Sequence, residues 1–498
     1  MSRPLVCLTL TGKTLQEDFE TLEKYRSYVD VAELRADFLD DDERHLIKKF
    51  PNMAKMPCIL TIRRKIDGGM FVEGEANRSV LFARALSFVD EDKAKNFAYV
   101  DFEDDFHVSS LQDAALAYGL RIIRSLHVMD GPVANLAQRL EELRDSEFEI
   151  PKIAFMPHTL DDVRRVFEEA KNLKDNNHII VAMGPMGTPT RILGARLKNF
   201  LTFTSPIETL ANIPALGHLD PVTLCETFRF RSINDDTSIF GITGWPLVQT
   251  SSPELHNYGY EKHKMNSVYI PIRSQSFSEV LNFADTVDVK GLSVTIPHKE
   301  AALSSVNHAA AKARSIGACN TLVKDSDGIW NGYNTDVTGF TKSLLEFTGT
   351  KNLSRWRVAI IGAGGAARAV AYAIKELKGN ACIFNRTLSK AKPIAEQYGF
   401  KYATLSEDNL DLLKKYNDLI VQTTSLGMNS REPSNEKNDP IFFYDFTGKE
   451  MLFDLVYVPS VTPIMARASK AGCRFCNGYE MLRYQGYEQF KLFTDKDY

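Results

Sequence analysis

The sequence predicts an α/β protein: a closed (β/α)8 barrel, then a two-part α/β module that ends in a dinucleotide-binding fold. Three observations carry this. Eight short apolar runs recur through residues 1–205 with helical segments between them. A glycine-rich turn joins a strand to a long helix in WRVAIIGAGGAARAVAYAIKEL, 356–377. With 498 residues, the chain exceeds what one hydrophobic core serves, so two or three domains are expected.

Composition narrows the function classes. Hydrophobic content of 44% and charged content of 25% are ordinary for globular proteins. The net charge of −4, with no basic block, argues against a nucleic-acid partner. The seven cysteines are odd in number and dispersed, which points to reduced thiols. The single pair Cys473-x-x-Cys476 has no second pair nearby, so no metal is expected. The opening MSRPLVCLTLTG is too short and too quickly polar for a signal peptide or a membrane span, and reads as a first strand. A cytoplasmic protein with no membrane partner is expected, or a plastid one if a transit peptide has been trimmed.

The apolar runs of the first half are PLVCLTL (4–10), VDVAEL (29–34), PCILTI (57–62), FAYVDF (97–102), RIIRSL (121–126), PKIAFM (151–156), HIIVAM (178–183) and FLTFT (200–204). Amphipathic stretches at 136–148 and 160–173 predict helices between them. Strands alternating with helices imply parallel pairing, and eight of them fit a barrel whose chemistry lies at the C-terminal strand ends. Those ends carry Glu33 and Arg35, Arg63, Glu103, His127, Lys152 and Arg191. Each alone reads as a solvated loop charge; in a barrel they converge on one mouth. Lys152 is the unusual one, because it sits inside the apolar run EIPKIAFMP (149–157). It either snorkels to water or is an amine whose neutral form attacks a carbonyl. A free lysine is neutral in only about one molecule in 2,500 at pH 7, so nearby cations and apolar walls are needed to favour the nucleophile.

In the second half, Gly362-x-Gly364-x-x-Ala367 fits the dinucleotide fingerprint, with Gly365 and Ala366 opening the helix whose N–H groups face a pyrophosphate. The next strand, ACIFNRT (381–387), ends in Asn385, Arg386 and Thr387, with Lys390 nearby, where an NAD enzyme usually has an acidic residue. Arg386 suits a 2′-phosphate, so the expected cofactor is NADP.

Residues 1–232 resemble type I 3-dehydroquinate dehydratase, through ELRAD (33–37), TIR (61–63), SLH (125–127), PKIA (151–154) and TPTRILG (188–194). The resemblance implies that Lys152 forms a Schiff base with the substrate ketone and that His127 moves the proton. It further implies that Arg191 pairs with the carboxylate and that Glu33, Arg35 and Arg63 hold hydroxyls and the local field. Asp67 stands where that family has a glutamate orienting the histidine. The closing loop reads Pro214-Ala215-Leu216-Gly217-His218, so His218 takes the place of a substrate-binding glutamine.

Residues 238–498 resemble shikimate dehydrogenase, through GITGWPLVQTSSPELHN (241–257), GLSVTIPHKE (291–300), GACNT (317–321), GYNTD (332–336), DLVYVPSVTP (454–463) and GYEMLRYQG (478–486). By this resemblance Lys299 and Asp336 are the catalytic pair, and Thr295, Asn320 and Gln485 bind substrate hydroxyls. Thr250 and Ser252 replace a Ser-x-Ser carboxylate grip, Gln249 replaces a histidine, and Thr424, Leu426, Gly427, Met428 and Gly478 flank the nicotinamide. The implied division is a barrel over 1–232, a substrate domain over 238–339 completed by 477–498, and an NADP domain over 340–476. The whole resembles fused proteins that dehydrate 3-dehydroquinate to 3-dehydroshikimate and reduce that to shikimate, as a monomer or weak homo-oligomer. Three readings compete with it: a slow or inactive barrel beside an active reductase, motivated by Asp67 and His218; a preference for quinate, which the extra methyl of Thr250 disfavours; and a regulator built from degenerate enzyme domains, which the presence of Lys152, His127, Lys299 and Asp336 disfavours.

Overall fold

The computed structural model describes residues 3–87, 90–144, 146–212, 218–247 and 250–498. The chain divides into two compact units, Met1–Val289 and Lys290–Tyr498.

The first unit opens with eight parallel strands: β1 (Leu5–Leu10), β2 (Val31–Arg35), β3 (Cys58–Thr61), β4 (Tyr99–Glu103), β5 (Arg121–Val128), β6 (Glu149–Phe155), β7 (Ile179–Ala182) and β8 (Leu201–Thr204). They pair in the order β7-β6-β5-β4-β3-β2-β1-β8, matching the eight runs expected from sequence. Between β7 and β8 the ring is held by Phe200 N donating to His178 O at 2.7 Å. The side-chain amide of Asn199 stands in for a further strand residue there. It accepts from Ile180 N and donates to Ile180 O, both at 2.9 Å.

Side chains two residues apart on a strand share a face, and this period builds the site. Cys7, Val31, Ile59, Ile123, Ile150, Ile179 and Leu201 form an apolar plug inside the barrel. Two positions further along the same inward faces stand Thr9, Glu33, Thr61, Ser125, Lys152 and Phe203. The lower layer is therefore apolar packing, and the layer above it is mostly polar, with Val181 and Phe203 remaining in the apolar cluster.

The helix expected at 160–173 is Leu160–Ala170, opened by a capping box between Thr159 and Asp162. The helix expected at 136–148 is shorter, Leu136–Glu142. Leu143 N and Arg144 N close its last turn on Arg139 O and Glu141 O, and the chain turns into β6 at Glu149.

In the same unit, β9 (Ser238–Gly244) and β10 (Ser267–Arg273) pair in parallel over seven residues. Helix Phe277–Thr286 packs on the barrel helix Leu160–Ala170, where Phe167 and Phe283 meet edge to face at 5.6 Å.

The second unit contains β11 (Val289–Val294), β12 (His308–Ala309), β13 (Thr321–Lys324) and β14 (Trp330–Tyr333). Of these, β13 runs antiparallel to both β11 and β14, and β12 is parallel to β14. It continues with β15 (Arg357–Ile361), β16 (Asn380–Asn385), β17 (Lys401–Thr404), β18 (Leu419–Gln422), β19 (Met451–Asp454) and β20 (Arg474–Cys476). These six form a parallel sheet ordered β17-β16-β15-β18-β19-β20, the doubly wound arrangement with β15 at the centre. Both faces are covered: Val358 and Ile360 belong to one core cluster, Ala359 and Ile361 to the other.

All seven cysteines are free. Among the described residues, no helix is long and apolar enough to cross a membrane.

Candidate active sites

Parallel pairing in register brings the C-terminal ends of the barrel strands together around a cavity of about 590 Å3, counted with its open mouth. Glu33, Arg35, Arg63, Asp67, His127, Lys152, Arg191 and His218 all line it. Of the strand-end residues expected at the mouth, only Glu103 does not line the cavity; it is held behind it by Arg63 and Arg78.

Lys152 does not snorkel. It is 6% exposed, its Nζ donates to Asp101 Oδ2 at 2.9 Å, and it lies 4.3 Å from the centre of the Phe203 ring. The surroundings expected from sequence were cations and apolar walls. The structure adds a counter-charge, because a buried ammonium without one is costly. Asp101 also accepts from Ser125 Oγ at 2.6 Å and pairs with Arg63 at 2.8 Å. Burial raises the Asp101 carboxyl, but Arg63 and Lys152 outweigh it and hold the group well below its ordinary range.

The network extends outward. Arg63 Nη1 donates to Glu103 Oε1 at 2.8 Å, and Glu103 Oε2 accepts from the buried Arg78 at 2.7 Å. Glu33 accepts from Thr9 on one neighbouring strand and from Thr61 on the other, each at 2.8 Å. Arg35 is held flat by two bonds to Asp37, at 2.9 and 2.8 Å. Asp101, Ser125, Thr9, Thr61 and Asp37 were missed in the sequence. Asp101 did leave a signal: it lies two residues before Glu103 in FAYVDFEDD, hence on the same face.

His127 is kept neutral. Burial lowers its pKa well below 6.5, and Arg63 and Lys152 add to the effect. The expected partner Asp67 is not bonded to it. Asp67 Oδ2 accepts from Arg64 Nε at 2.7 Å, while His127 Nδ1 has no hydrogen-bond partner among the described residues. Arg64 is in turn held by Asp105 at 2.8 and 3.0 Å, and the shorter aspartate stays with the nearer cation.

Arg191 is 2% exposed, and its Nη1 donates to Phe203 O at 3.4 Å. Burial lowers its guanidinium, so an anion beside it relieves a desolvation cost. His218 Nδ1 lies 2.5 Å from Ser205 Oγ, and burial with Arg191 keeps this imidazole neutral as well. Pro214 and Gly217 of the closing loop, and Gln249, lie outside the described residues.

Thr250 and Ser252 stand together at the start of helix Ser252–Lys262: Thr250 Oγ1 donates to Ser252 Oγ at 3.1 Å and accepts from Ser252 N at 3.2 Å.

In the second unit, Lys299 and Asp336 each begin a helix, Lys299–Ser305 and Asp336–Thr348. Lys299 Nζ donates to Asp336 Oδ2 at 2.5 Å. The other oxygen, Oδ1, accepts from Asn320 Nδ2 at 2.8 Å, and the same Nδ2 reaches Gln485 Oε1 at 3.4 Å. Thr335 N donates to Asn320 Oδ1 at 2.8 Å. Gln489, missed in the sequence, lies one helical turn beyond Gln485 and bonds Thr321 Oγ1, Asn320 O and Ser293 Oγ. Thr295 follows directly on β11.

Two glycines shape the dinucleotide turn. Gly362 has φ +113°, and a Cβ there would lie 2.5 Å from Thr423 Oγ1. At Gly365 a Cβ would lie 3.2 Å from the Lys299 side chain, so the absent side chain lets the fingerprint helix begin close against Lys299. Asn385 ends β16, and Arg386, Thr387 and Lys390 follow it, with Arg386 exposed. Thr424, Leu426, Gly427 and Met428 follow β18, where the Gln422 side chain donates to Thr424 O and Leu426 O at 3.1 Å. Gly478 precedes the terminal helix Tyr479–Thr494, which carries Gln485. The cradle fits a dinucleotide: an open glycine turn, a helix start and an exposed arginine where a 2′-phosphate is read.

Comparison with known proteins gives matches to three family models. Type I 3-dehydroquinase matches residues 6–235, the shikimate dehydrogenase substrate binding domain 242–322, and shikimate / quinate 5-dehydrogenase 345–447. The chain is 30% identical over 513 residues to the chloroplastic bifunctional 3-dehydroquinate dehydratase/shikimate dehydrogenase of Arabidopsis thaliana, covering 98% of this chain and 82% of the relative. It is 37% identical over 260 residues to the NADP(+) shikimate dehydrogenase of Maridesulfovibrio salexigens, covering 51% of this chain and 91% of the relative. Among solved structures it is similar to shikimate dehydrogenase from Aquifex aeolicus at 29% identity, with a TM-score of 0.47 over 53% of this chain and 96% of that one.

Proposed function

Because the chain belongs to the bifunctional 3-dehydroquinate dehydratase/shikimate dehydrogenase family, we propose that it dehydrates 3-dehydroquinate and reduces the resulting 3-dehydroshikimate to shikimate, with NADPH as the reductant. The division into a barrel over 1–232, a substrate domain over 238–339 completed by 477–498, and a cofactor domain over 340–476 is part of the same reading. One observation supports the dehydratase half above all: a buried lysine on β6 shares a polar cavity with a neutral histidine on β5.

Lys152 attacks the ring ketone in its neutral form, and loss of water leaves an iminium. Asp101, 2.9 Å from the nitrogen, is placed to balance that positive charge. The iminium draws electrons from C2 while His127 accepts the C2 proton. His127 then returns the proton to the departing C1 hydroxyl, which leaves as water, and hydrolysis of the imine frees the lysine. Arg191 pairs with the carboxylate, Glu33, Arg35 and Arg63 hold hydroxyls, and His218 contacts the ring. Asp67, engaged by Arg64, serves the histidine only after leaving that partner.

In the reductase half, Lys299 donates a proton to the oxygen that becomes a hydroxyl, and Asp336, 2.5 Å away, orients the ammonium. Asn320 fixes Asp336 through its second oxygen and, with Thr295 and Gln485, turns polar atoms toward substrate hydroxyls. Thr250 and Ser252 take the carboxylate. Bound NADPH supplies the hydride. The glycine turn at 362–365 and Arg386 would hold its phosphates, Asn385, Thr387 and Lys390 would serve the ribose, and Thr424, Leu426, Gly427, Met428 and Gly478 would take the nicotinamide.

The test follows both steps at once. Given 3-dehydroquinate and NADPH, the protein is expected to oxidise NADPH and form shikimate. Borohydride added with 3-dehydroquinate alone is expected to leave a stable adduct on Lys152. NADPH oxidation with 3-dehydroshikimate but not with 3-dehydroquinate, and no adduct, would mean a reductase with a silent barrel.

A further inference from the structure

We infer that Arg273 is a positioning residue shared by the two chemistries, because its guanidinium ties the barrel segment that carries Arg191 to Leu247, three positions before Thr250 in the chain. Arg273 is the last residue of β10, in register with Gly244, the last residue of β9. Strand ends of this kind are where α/β sheets place their ligand loops. Nε donates to Leu247 O at 3.0 Å, three residues before Thr250. Nη1 reaches the barrel, donating to Pro185 O at 3.2 Å and to Thr188 Oγ1 at 3.1 Å. Thr188 Oγ1 itself donates to Pro185 O at 2.7 Å, so arginine, hydroxyl and carbonyl close a small ring. Thr188 begins the short helix Thr188–Ile192, and Arg191 lies on its next turn.

The surroundings favour a positioning role over plain surface packing. Its three hydrogen-bond partners among the described residues are two carbonyls and a hydroxyl, so the cation is held by dipoles whose geometry is specific. The contact is braced on both sides. Ser274, the next residue, donates to Glu279 Oε2 at 2.9 Å, and that oxygen accepts from Leu160 N of the barrel at 3.1 Å. Helix Phe277–Thr286 meets helix Leu160–Ala170 below it. A planar fork whose Nε and Nη1 donate in two fixed, separated directions meets this requirement; an ammonium concentrates its three donors on one atom and does not span both partners in the same geometry. The consequence is that two anion-binding elements, Arg191 and the Thr250/Ser252 pair, share a common anchor.

This inference rests on the proposed pair of activities and is tested on the full chain by steady-state kinetics of each half-reaction. Arg273→Ala is expected to raise KM for 3-dehydroquinate and for shikimate together, each by about three- to tenfold, with both kcat values within about twofold. Thr188→Val removes only the barrel-side hydroxyl, and is expected to raise KM for 3-dehydroquinate while leaving that for shikimate unchanged. Arg273→Lys is expected to restore one KM and not both. A KM change on one substrate alone in Arg273→Ala, no change on either, or equal falls in both kcat values with a lower Tm would each overturn the shared anchor. If the unaltered protein turned over neither substrate, the proposed activities would fail first, and that outcome is read before any variant is compared.

Discussion

Lys152 on β6 and Asp101 on β4 form an ion pair at 2.9 Å across the strand between them, and Ser125 and Arg63 complete the cage around the carboxylate. Asp101→Asn leaves two buried cations without their shared anion. It is expected to lower dehydratase kcat by about 10- to 100-fold and to cost about 3 kcal/mol of stability. Asp101 ionises in the folded barrel well below its ordinary value of 3.8. Its contribution is therefore complete above that pH and is lost as pH falls below it. Denaturant melts of the two proteins should differ most at neutral pH and converge in acid; a constant gap down to pH 2, on the order of two units below a free carboxyl, would remove Asp101 as the cause.

Lys152→Ala should abolish dehydration and leave shikimate oxidation within about twofold, whereas Lys299→Ala should do the reverse. Two separate spectrophotometric assays decide it. A lysine whose loss silenced the other reaction would show that the two sites had been misassigned.

Burial, Arg63 and Lys152 keep His127 neutral far below pH 6.5. The acid limb of kcat/KM for dehydration should therefore lie well below pH 6.5. In Lys152→Met one of the depressing charges is gone, so the His127 ring protons should titrate at a higher pH by NMR. An imidazole that titrated unshifted in both proteins would contradict the electrostatic account.

Arg386 is exposed at the end of β16, the position proposed to receive the 2′-phosphate. Arg386→Ala should raise KM for NADP by about 10-fold or more and leave KM for NAD nearly unchanged. The ratio of the two constants is the measurement, and an unaltered ratio would point to a different phosphate contact.

Most of the barrel was legible because its signals are local. Six of the eight apolar runs are followed by ionisable residues, and parallel pairing in register carries those ends to one mouth without further information. The same holds for Gly362, Gly364 and Arg386, which read as a turn, a helix start and a strand end from adjacent letters. The helix at 136–148 was overextended, since amphipathic spacing carries no information about where the next strand must begin. Asp101 and Ser125 were overlooked because their meaning depends on partners on other strands, the lysine being 51 positions away in sequence. Arg273 looks like any charge at the end of an apolar run until Thr188 and Leu247 are brought against it.

Sequence alone determined the order of modules, the strand-and-helix alternation of the barrel, and the residue types carried at its strand ends. Tertiary structure alone decided which charge faces which: Lys152 meets Asp101, Asp67 turns to Arg64 instead of His127, and Asn320 locks Asp336. The physical reason is range. Periodicity and turn chemistry act over a few residues and are written in neighbouring letters. The choice among ion pairs depends on distances of about 3 Å and on burial, and neither exists until strands far apart in sequence have been packed side by side.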